Sequence, residues 1–273
     1  MPSYIHGHQP SVLRSHTWRT AQNSSAYLLP YLEDALKNTP NLKVLDVGSG
    51  PGTITCDLAK LYPSIKITGI DRSSAIVAQA TALAAEKGLS NVDFAEGDIF
   101  NLAYPDNTFD IIHVHQVLQH IPEPTKAVAE LRRVLKPGGI LAVRETDWPG
   151  AVWYPSSPAM VAFLEAYQNV AIWTGGTPDT GRRLLAMARA GGFPRENIKT
   201  SSSTWCYSSP EERVWWSSLW AERVESSDFR KNALESKLVT EEDLESFAKA
   251  WRDWGQDIDG WHSLLHGEVI CFK

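Results

Sequence analysis

Short apolar runs alternate with longer stretches of helical pattern through the first half of the chain. Residues 43–47 (Lys-Val-Leu-Asp-Val), 65–70 (Ile-Lys-Ile-Thr-Gly-Ile), 91–95, 109–114 (Phe-Asp-Ile-Ile-His-Val) and 139–145 (Gly-Ile-Leu-Ala-Val-Arg-Glu) read as strands. Between them, 53–62, 73–88 and 123–135 read as helices. Gly88 stops the second helix, and Leu135-Lys136-Pro137-Gly138-Gly139 stops the third as a breaker and turn. Strands alternating with helices imply βαβ units and a mostly parallel sheet. Right-handed crossovers make that sheet doubly wound, with its ligand site at the C-terminal ends of the strands.

After Glu145 the alternation ends. Residues 157–174 and 179–190 read as helices, the latter closed by Gly191-Gly192. Residues 199–207 resemble a strand, 210–256 are helical, and 261–272 form a last strand. The expected fold is α/β: a Rossmann-like, doubly wound, seven-stranded sheet, mostly parallel, with a helical insertion before the last strand. It divides into an N-terminal lid and first helix (1–40), a core (41–207), a helical insertion over the site (208–260) and a final core strand (261–273). The polar start of the chain carries His6, His8 and His16, as a flap over the site would.

A length of 273 residues suits one such domain with an insertion, and 43% hydrophobic residues suffice for its core. The net charge of −6 argues against a nucleic-acid partner, since phosphate binding needs a basic face. Cys56, Cys206 and Cys271 fit no metal-ligand spacing, so no metal is expected. No apolar run is long enough for a membrane span, and no secretion signal opens the chain, which makes the cytosol the default compartment. Most of the eleven tryptophans follow residue 140, as an aromatic pocket in the second half would require.

The strongest chemical signal is Asp46-Val47-Gly48-Ser49-Gly50-Pro51-Gly52-Thr53, a strand running into three alternating glycines and a helix. Glycine allows a sharp turn and the close approach of a ligand, and the helix N-terminus offers unpaired N–H groups. A dinucleotide loop would place its third glycine where Thr53 stands. Asp71 ends the second strand about 20 residues on, where a carboxylate accepts ribose hydroxyls. Its plainer role is to cap the helix that follows. Arg72 beside it could pack on an adenine face. Gly97-Asp98-Ile99 follows the third strand and would otherwise be an ordinary turn.

This G-x-G-x-G pattern after Asp46 resembles the first motif of class I S-adenosylmethionine-dependent methyltransferases. With Asp71, Asp98, the segment 109–121 and Leu135–Gly139 in that order, residues 40–145 look like the small-molecule methyltransferases of ubiquinone and menaquinone biosynthesis. The resemblance implies S-adenosylmethionine as cofactor, held by Asp46, Gly48, Ser49, Gly50, Gly52, Thr53, Asp71, Arg72, Asp98, Ile99 and His115. It implies that Asp98 meets the adenine amino group. The segment 12–24 departs from the quinone enzymes and looks like a subgroup found in fungi and bacteria.

Methyl transfer rests mainly on positioning, although some acceptors also need a base, for which histidine is suited. Strand alternation puts His113 and His115 on one face near the expected methyl position. His115 and His120 are the candidate catalytic residues, with Glu145 the carboxylate alternative; structural packing competes with each. His16, Trp18 and Arg19 are expected to cover the site. Trp148, Trp153 and Trp173, with Trp215, Trp216 and Trp220 of the insertion, could wall an apolar or aromatic acceptor. The expected function is methyl transfer to such a small molecule. A non-methylating or regulatory protein of the same fold is the alternative, and Thr53 counts against a nicotinamide oxidoreductase.

Overall fold

The computed structural model describes Ile5, Gly7 and residues 9–273; His6 and His8 lie outside the described residues. The parallel part of the sheet is built from β1 (Lys43–Val47), β2 (Lys66–Asp71), β3 (Val92–Glu96), β4 (Phe109–His115) and β5 (Leu135–Thr146). Their order is β3-β2-β1-β4-β5. The chain thus winds outward from β1, then returns to the other side of it. That reversal opens a crevice above β1 and β4, where open α/β sheets bind ligands. Helices α4 (Thr53–Leu61), α5 (Ser74–Glu86) and α6 (Pro124–Val134) make three of the crossovers.

Three further strands are antiparallel additions. β8 (Trp261–Phe272) lies against β5, and β7 (Ile198–Tyr207) pairs along β8. The short β6 (Val152–Tyr154) pairs with Trp261–Ser263 of β8, so eight strands form among the described residues where seven were expected. Since β7 occupies one edge of β8 throughout that stretch, β6 sits on the edge that β5 leaves, beyond the turn at Trp148–Gly150. The expected breaker at 135–139 is absorbed into β5. The register jumps from Phe109↔Leu135 to Ile111↔Ile140, and Gly138 takes φ 76°.

One face of the sheet is apolar throughout. Leu45, Val47, Ile112, Val114, Leu141 and Val143 pack with Leu131 and Val134 of α6 and with Leu184 and Ala188 of α8 (Thr180–Ala190). The opposite face changes character along its strands. Val44, Ile111, Ala142 and Ile270 meet Leu32 of α3 (Leu29–Asn38) and Cys56 and Leu58 of α4. Towards the site the same face carries Asp46, His113, His115, Arg144 and Glu268, all buried. Register aligns them: Asp46 opposite His113, His115 opposite Arg144, Arg144 opposite Glu268.

The cap over the strand ends is helical, and it has its own core. Phe163 and Tyr167 of α7 (Pro158–Trp173) pack with Trp216 and Trp220 of α9 (Pro210–Ser226), Phe229 of α10 (Asp228–Ser236), and Phe247, Trp251 and Trp254 of α11 (Glu241–Gln256). The rings of Trp220 and Trp251 stack 5.7 Å apart. The cap therefore draws α7 from before β7 as well as the 208–260 segment. The helical run 210–256 is broken twice, where Ser227 and Thr240 cap the next helices by accepting from Phe229 N and Asp243 N. At the N-terminus, α1 (Pro10–Thr17) lies on α9, fastened by Arg14–Glu222 (2.5 Å) and by Arg223 Nη2 donating to Ser15 Oγ (2.5 Å). Among the described residues, no helix is long and apolar enough to cross a membrane.

Candidate active site

The loop between β1 and α4 needs its glycines for different reasons. Gly48, Gly50 and Gly52 have φ of 70°, 56° and 80°, in the left-handed region. A Cβ on Gly48 would lie 2.3 Å from Val117 Cγ2, and one on Gly52 would lie 2.8 Å from Phe94 Cζ. A Cβ on Gly50 would meet nothing nearer than His16 Nδ1 at 4.0 Å. Gly48 and Gly52 are thus fixed by packing as well as conformation, whereas Gly50 borders open space. The N–H groups of Gly48 and Ser49 both donate to Ile70 O (2.8 and 2.9 Å), which ties the loop to β2.

A cavity of about 240 Å³ lies against this loop. The candidate residues Asp46, Gly48, Ser49, Gly50, Thr53, Asp71, Arg72, Asp98, Ile99 and His115 all border it, with His16, Arg19 and His120. Gly52 faces Phe94 and does not. Asp71 accepts from Gly50 N (3.2 Å) through Oδ2 and from Ser73 N (3.0 Å) through Oδ1. It is not the cap of α5; Ser73 is. Asp98 accepts from Phe100 N at 2.9 Å.

Asp46 borders the cavity, but both carboxylate oxygens are engaged within the protein. Oδ1 takes His113 Nδ1–H (2.8 Å) and Oδ2 takes the Thr55 hydroxyl (2.5 Å). His113 Nε2 meets Ser25 Oγ at 2.9 Å. Asp46 and His113 therefore brace the loop against the N-terminal segment, at the wall of the cavity.

The expectation for Glu145 is corrected. Its carboxylate is fully buried and lines neither this cavity nor the next. Oε1 accepts from Val117 N and Leu118 N (2.9 and 2.8 Å), and Oε2 accepts from Gln119 N (3.2 Å). Burial pushes its pKa up to about 7, against the pull of those three amides. Glu145 holds the loop after β4 and is turned away from both cavities.

That loop brings in residues the sequence did not mark. Gln116 adopts φ 55°, a costly conformation for a non-glycine residue. Its Oε1 accepts from Arg19 Nη2 (2.7 Å) and its Nε2 meets His266 Nε2 (2.9 Å). His115 is buried at the cavity edge, and neither ring nitrogen has a hydrogen-bond partner among the described residues. Burial, then the charges of Arg19 and Arg144, hold its pKa well below the usual histidine range. His120 is pushed down to about 3 by burial and Arg19.

A second, smaller cavity of about 30 Å³ adjoins the first. His16, Arg19, Gln116 and His120 border both. Its other walls include Trp148, Tyr167, Trp205, Trp216, Trp220 and Arg223. Of the tryptophans expected near an acceptor, Trp148, Trp216 and Trp220 are there. Trp18, Trp153 and Trp173 are not: Trp18 packs on Trp205 and Trp215, Trp153 stacks on His262 (4.7 Å), and Trp173 is half exposed near the end of α7. Trp215, Trp251 and Trp254 line neither cavity and serve the cap's packing. His16 enters the site because its carbonyl accepts from Thr53 Oγ1 (2.9 Å), which links α1 to the start of α4.

Residues 38–190 match the family model of a methyltransferase domain. The chain is 35% identical over 277 residues to an uncharacterized methyltransferase of Schizosaccharomyces pombe, covering 99% of this chain and 96% of that protein. It is 32% identical over 286 residues to a probable methyltransferase, LtbC, of Aspergillus luteorubrus, covering 99% and 97%. The solved structure of the YcgJ protein from Bacillus subtilis shares its fold, with a TM-score of 0.56 at 21% identity over 89% of this chain and 98% of that one. Fold and family together define a class I, S-adenosylmethionine-dependent methyltransferase. The chain belongs to the methyltransferase domain family. A place in the quinone-biosynthesis branch has only loose support, because the relatives matched along the whole chain are named simply as methyltransferases.

Proposed function

We propose that this protein transfers the methyl group of S-adenosylmethionine to a small acceptor with an apolar or aromatic body. The observation that carries this reading is the pair of adjoining cavities. One lies along the glycine loop, the other among aromatic rings, and four polar side chains separate them.

The lining of the first cavity suits the cofactor's chemistry. Its loop leaves Gly50 open to a close approach, two carboxylates stand at successive strand ends, and His115 offers unpaired ring nitrogens. In this reading Gly48, Ser49, Gly50 and Thr53 border the methionine end, and Gly52 shapes the loop from behind. Asp71 holds the ribose, with Arg72 alongside, and Asp98 and Ile99 hold the adenine. The bound cofactor supplies a methyl group already activated on sulfur, so the protein's part is orientation and exclusion of water. His16, Arg19, Gln116 and His120 stand where the two ligands meet. The aromatic walls orient the acceptor.

Screening small acceptors by mass for gain of one methyl group tests the function. Structured RNA or peptides accepting methyl better than every small molecule would defeat it. Asp71→Asn is expected to weaken S-adenosylhomocysteine binding by about 1–3 kcal/mol, the scale of hydrogen bonds to a charged group. Unchanged affinity by calorimetry would remove Asp71 from the site.

The N-terminal segment acts as a lid in this reading. Deleting residues 1–20 removes His16 and Arg19 from the cavity wall and the Ser15 contact from Arg223. The expected product is a folded sheet with poor cofactor affinity. Wild-type affinity in that truncation would exclude the lid.

A further inference from the structure

Three described non-glycine residues take a positive φ: Asn107, Gln116 and Lys237. Asn107 lies in an exposed turn, and Lys237 is exposed where it closes α10, both ordinary places for left-handed backbone. Gln116 is in neither kind of place. It is half-buried, directly follows β4 and borders both cavities. Asparagine and aspartate tolerate this backbone better than glutamine, and glycine bears no steric cost there. The conformation persists because its neighbours impose it. Gln116 N–H donates to Arg144 O (2.9 Å), and Glu145 holds the N–H groups of the next three residues.

A bend alone would be served better by glycine or asparagine. What glutamine adds is a longer side chain, and His266 sets its orientation. His266 is fully buried, and burial, then the charges of Arg144 and Arg19, hold its pKa well below the usual histidine range. The neutral ring accepts the Gln116 Nε2–H through its own Nε2 (2.9 Å) and carries its proton on Nδ1. The amide oxygen of Gln116 is left for Arg19, whose Nη2 donates to it at 2.7 Å. Arg19 belongs to the N-terminal segment, between α1 and α2 (Ala21–Ser24).

We infer, building on the methyltransferase reading above, that Gln116 is a positioning residue: its left-handed backbone holds the amide oxygen on Arg19 and so fastens the N-terminal segment over the bound cofactor. A hydrogen bond from a guanidinium is among the stronger ones, and here it joins a strand end of the sheet to the lid at the junction of the cavities. Rigid support of this kind keeps a site in one geometry, and a backbone strained at such a point marks it as functional.

The segment has other ties. Thr53 Oγ1 donates to His16 O, Arg223 Nη2 to Ser15 Oγ, and Ser25 Oγ meets His113 Nε2. These hold it to α4, to the cap and to the middle of β4. The Gln116 tie differs in bordering both cavities, so its loss loosens the lid at the ligands and leaves the segment attached elsewhere. Asparagine in its place would suit the backbone, yet it is one methylene too short to reach both His266 and Arg19.

Gln116→Asn in the full chain tests the proposal. S-adenosylhomocysteine is titrated calorimetrically, and amide hydrogen exchange is followed in the same samples. The variant is expected to fold and to bind about tenfold more weakly, the scale of one hydrogen bond to a charged group. At saturating ligand, protection of residues 48–56 should remain, while the protection that the ligand confers on residues 11–24 should be lost. A double-mutant cycle with Arg19→Gln isolates the pair: once either substitution is made, the other should cost little further affinity. A merely structural bend predicts the reverse, with wild-type affinity in Gln116→Asn. If that variant loses its helical circular dichroism, Gln116→Gly provides the same comparison. Wild-type affinity with retained protection of 11–24, or additive losses in the cycle, would overturn the proposal. The methyltransferase reading fails separately, by lack of S-adenosylhomocysteine binding to the wild-type chain, and the inference about Gln116 would fall with it.

Discussion

Acidification from pH 7 to 5.5 is expected to destabilise the fold steeply. His115, His262 and His266 are each 5% exposed or less, and burial, the largest cause, lowers the pKa of all three. His262, brought down to about 4, lies against Trp153 and donates through Nδ1 to Val152 O at 3.0 Å. Once unfolded, these groups regain the ordinary histidine pKa of about 6.5. Below that value the unfolded chain binds protons that the folded chain refuses, so stability falls as pH falls. Each histidine contributes up to about 1.4 kcal/mol per pH unit, hence about 4 kcal/mol per unit for three. Glu145 acts in the opposite sense. Its folded pKa of about 7 is above its unfolded value, so its cost to stability is relieved as pH falls from 7 towards 4.5. That is one proton against three, and the histidines win. Thermal melts should show a falling Tm between pH 7 and 5.5, with net proton uptake on unfolding that grows across the window to about two near pH 5.5. A flat Tm across that range would mean these histidines are not buried as described.

Gly48→Ala is expected to be far more damaging than Gly50→Ala, although the two positions are two residues apart. Both force an L residue into left-handed backbone, at a cost of about 1–2 kcal/mol. Only Gly48 adds a collision, its Cβ falling 2.3 Å from Val117 Cγ2. Val117 cannot easily retreat, because Glu145 holds its N–H and those of the next two residues. Overpacking of this kind costs about 1–3 kcal/mol more. Since Gly48 and Val117 both border the larger cavity, the displacement also distorts the proposed cofactor site. Gly48→Ala should therefore lose at least tenfold in S-adenosylhomocysteine affinity along with a lowered Tm, whereas Gly50→Ala should cost less stability. Equal losses of stability in the two variants would contradict the packing account.

Much of the fold was legible because its signals are local. Strands β1, β2 and β4 announce themselves as apolar runs, and the glycines between β1 and α4 fix the loop's course. The three-residue β6 carries no period long enough to read, and its pairing depends on where β8 passes. The cavity's wall was legible where spacing marks residues at strand ends, as at Gly48, Gly50, Asp71 and Asp98, which all border it. It was not legible where the partner decides. Glu145 at a strand end reads as a candidate base, yet the three amides that occupy it belong to a turn whose shape the sequence does not announce. Asp46 reads as a cavity residue from its place before the glycines, but its pairing with His113 depends on the parallel register with β4, which no local pattern announces. Gln116 gave no signal at all, because its importance comes from a backbone conformation unusual for glutamine. The tryptophans divide by depth in the cap: Trp216 and Trp220 of α9 border the smaller cavity, while Trp251 and Trp254 of α11 line neither cavity and pack the cap.

Calorimetric titration of the full chain with S-adenosylhomocysteine, run beside NADH, tests the central claim most directly. Saturable binding of S-adenosylhomocysteine at one site per chain is expected, weakened at least tenfold in Gly48→Ala and by about 1–3 kcal/mol in Asp71→Asn, with no comparable binding of NADH. Absence of S-adenosylhomocysteine binding, or tighter binding of NADH, would contradict it.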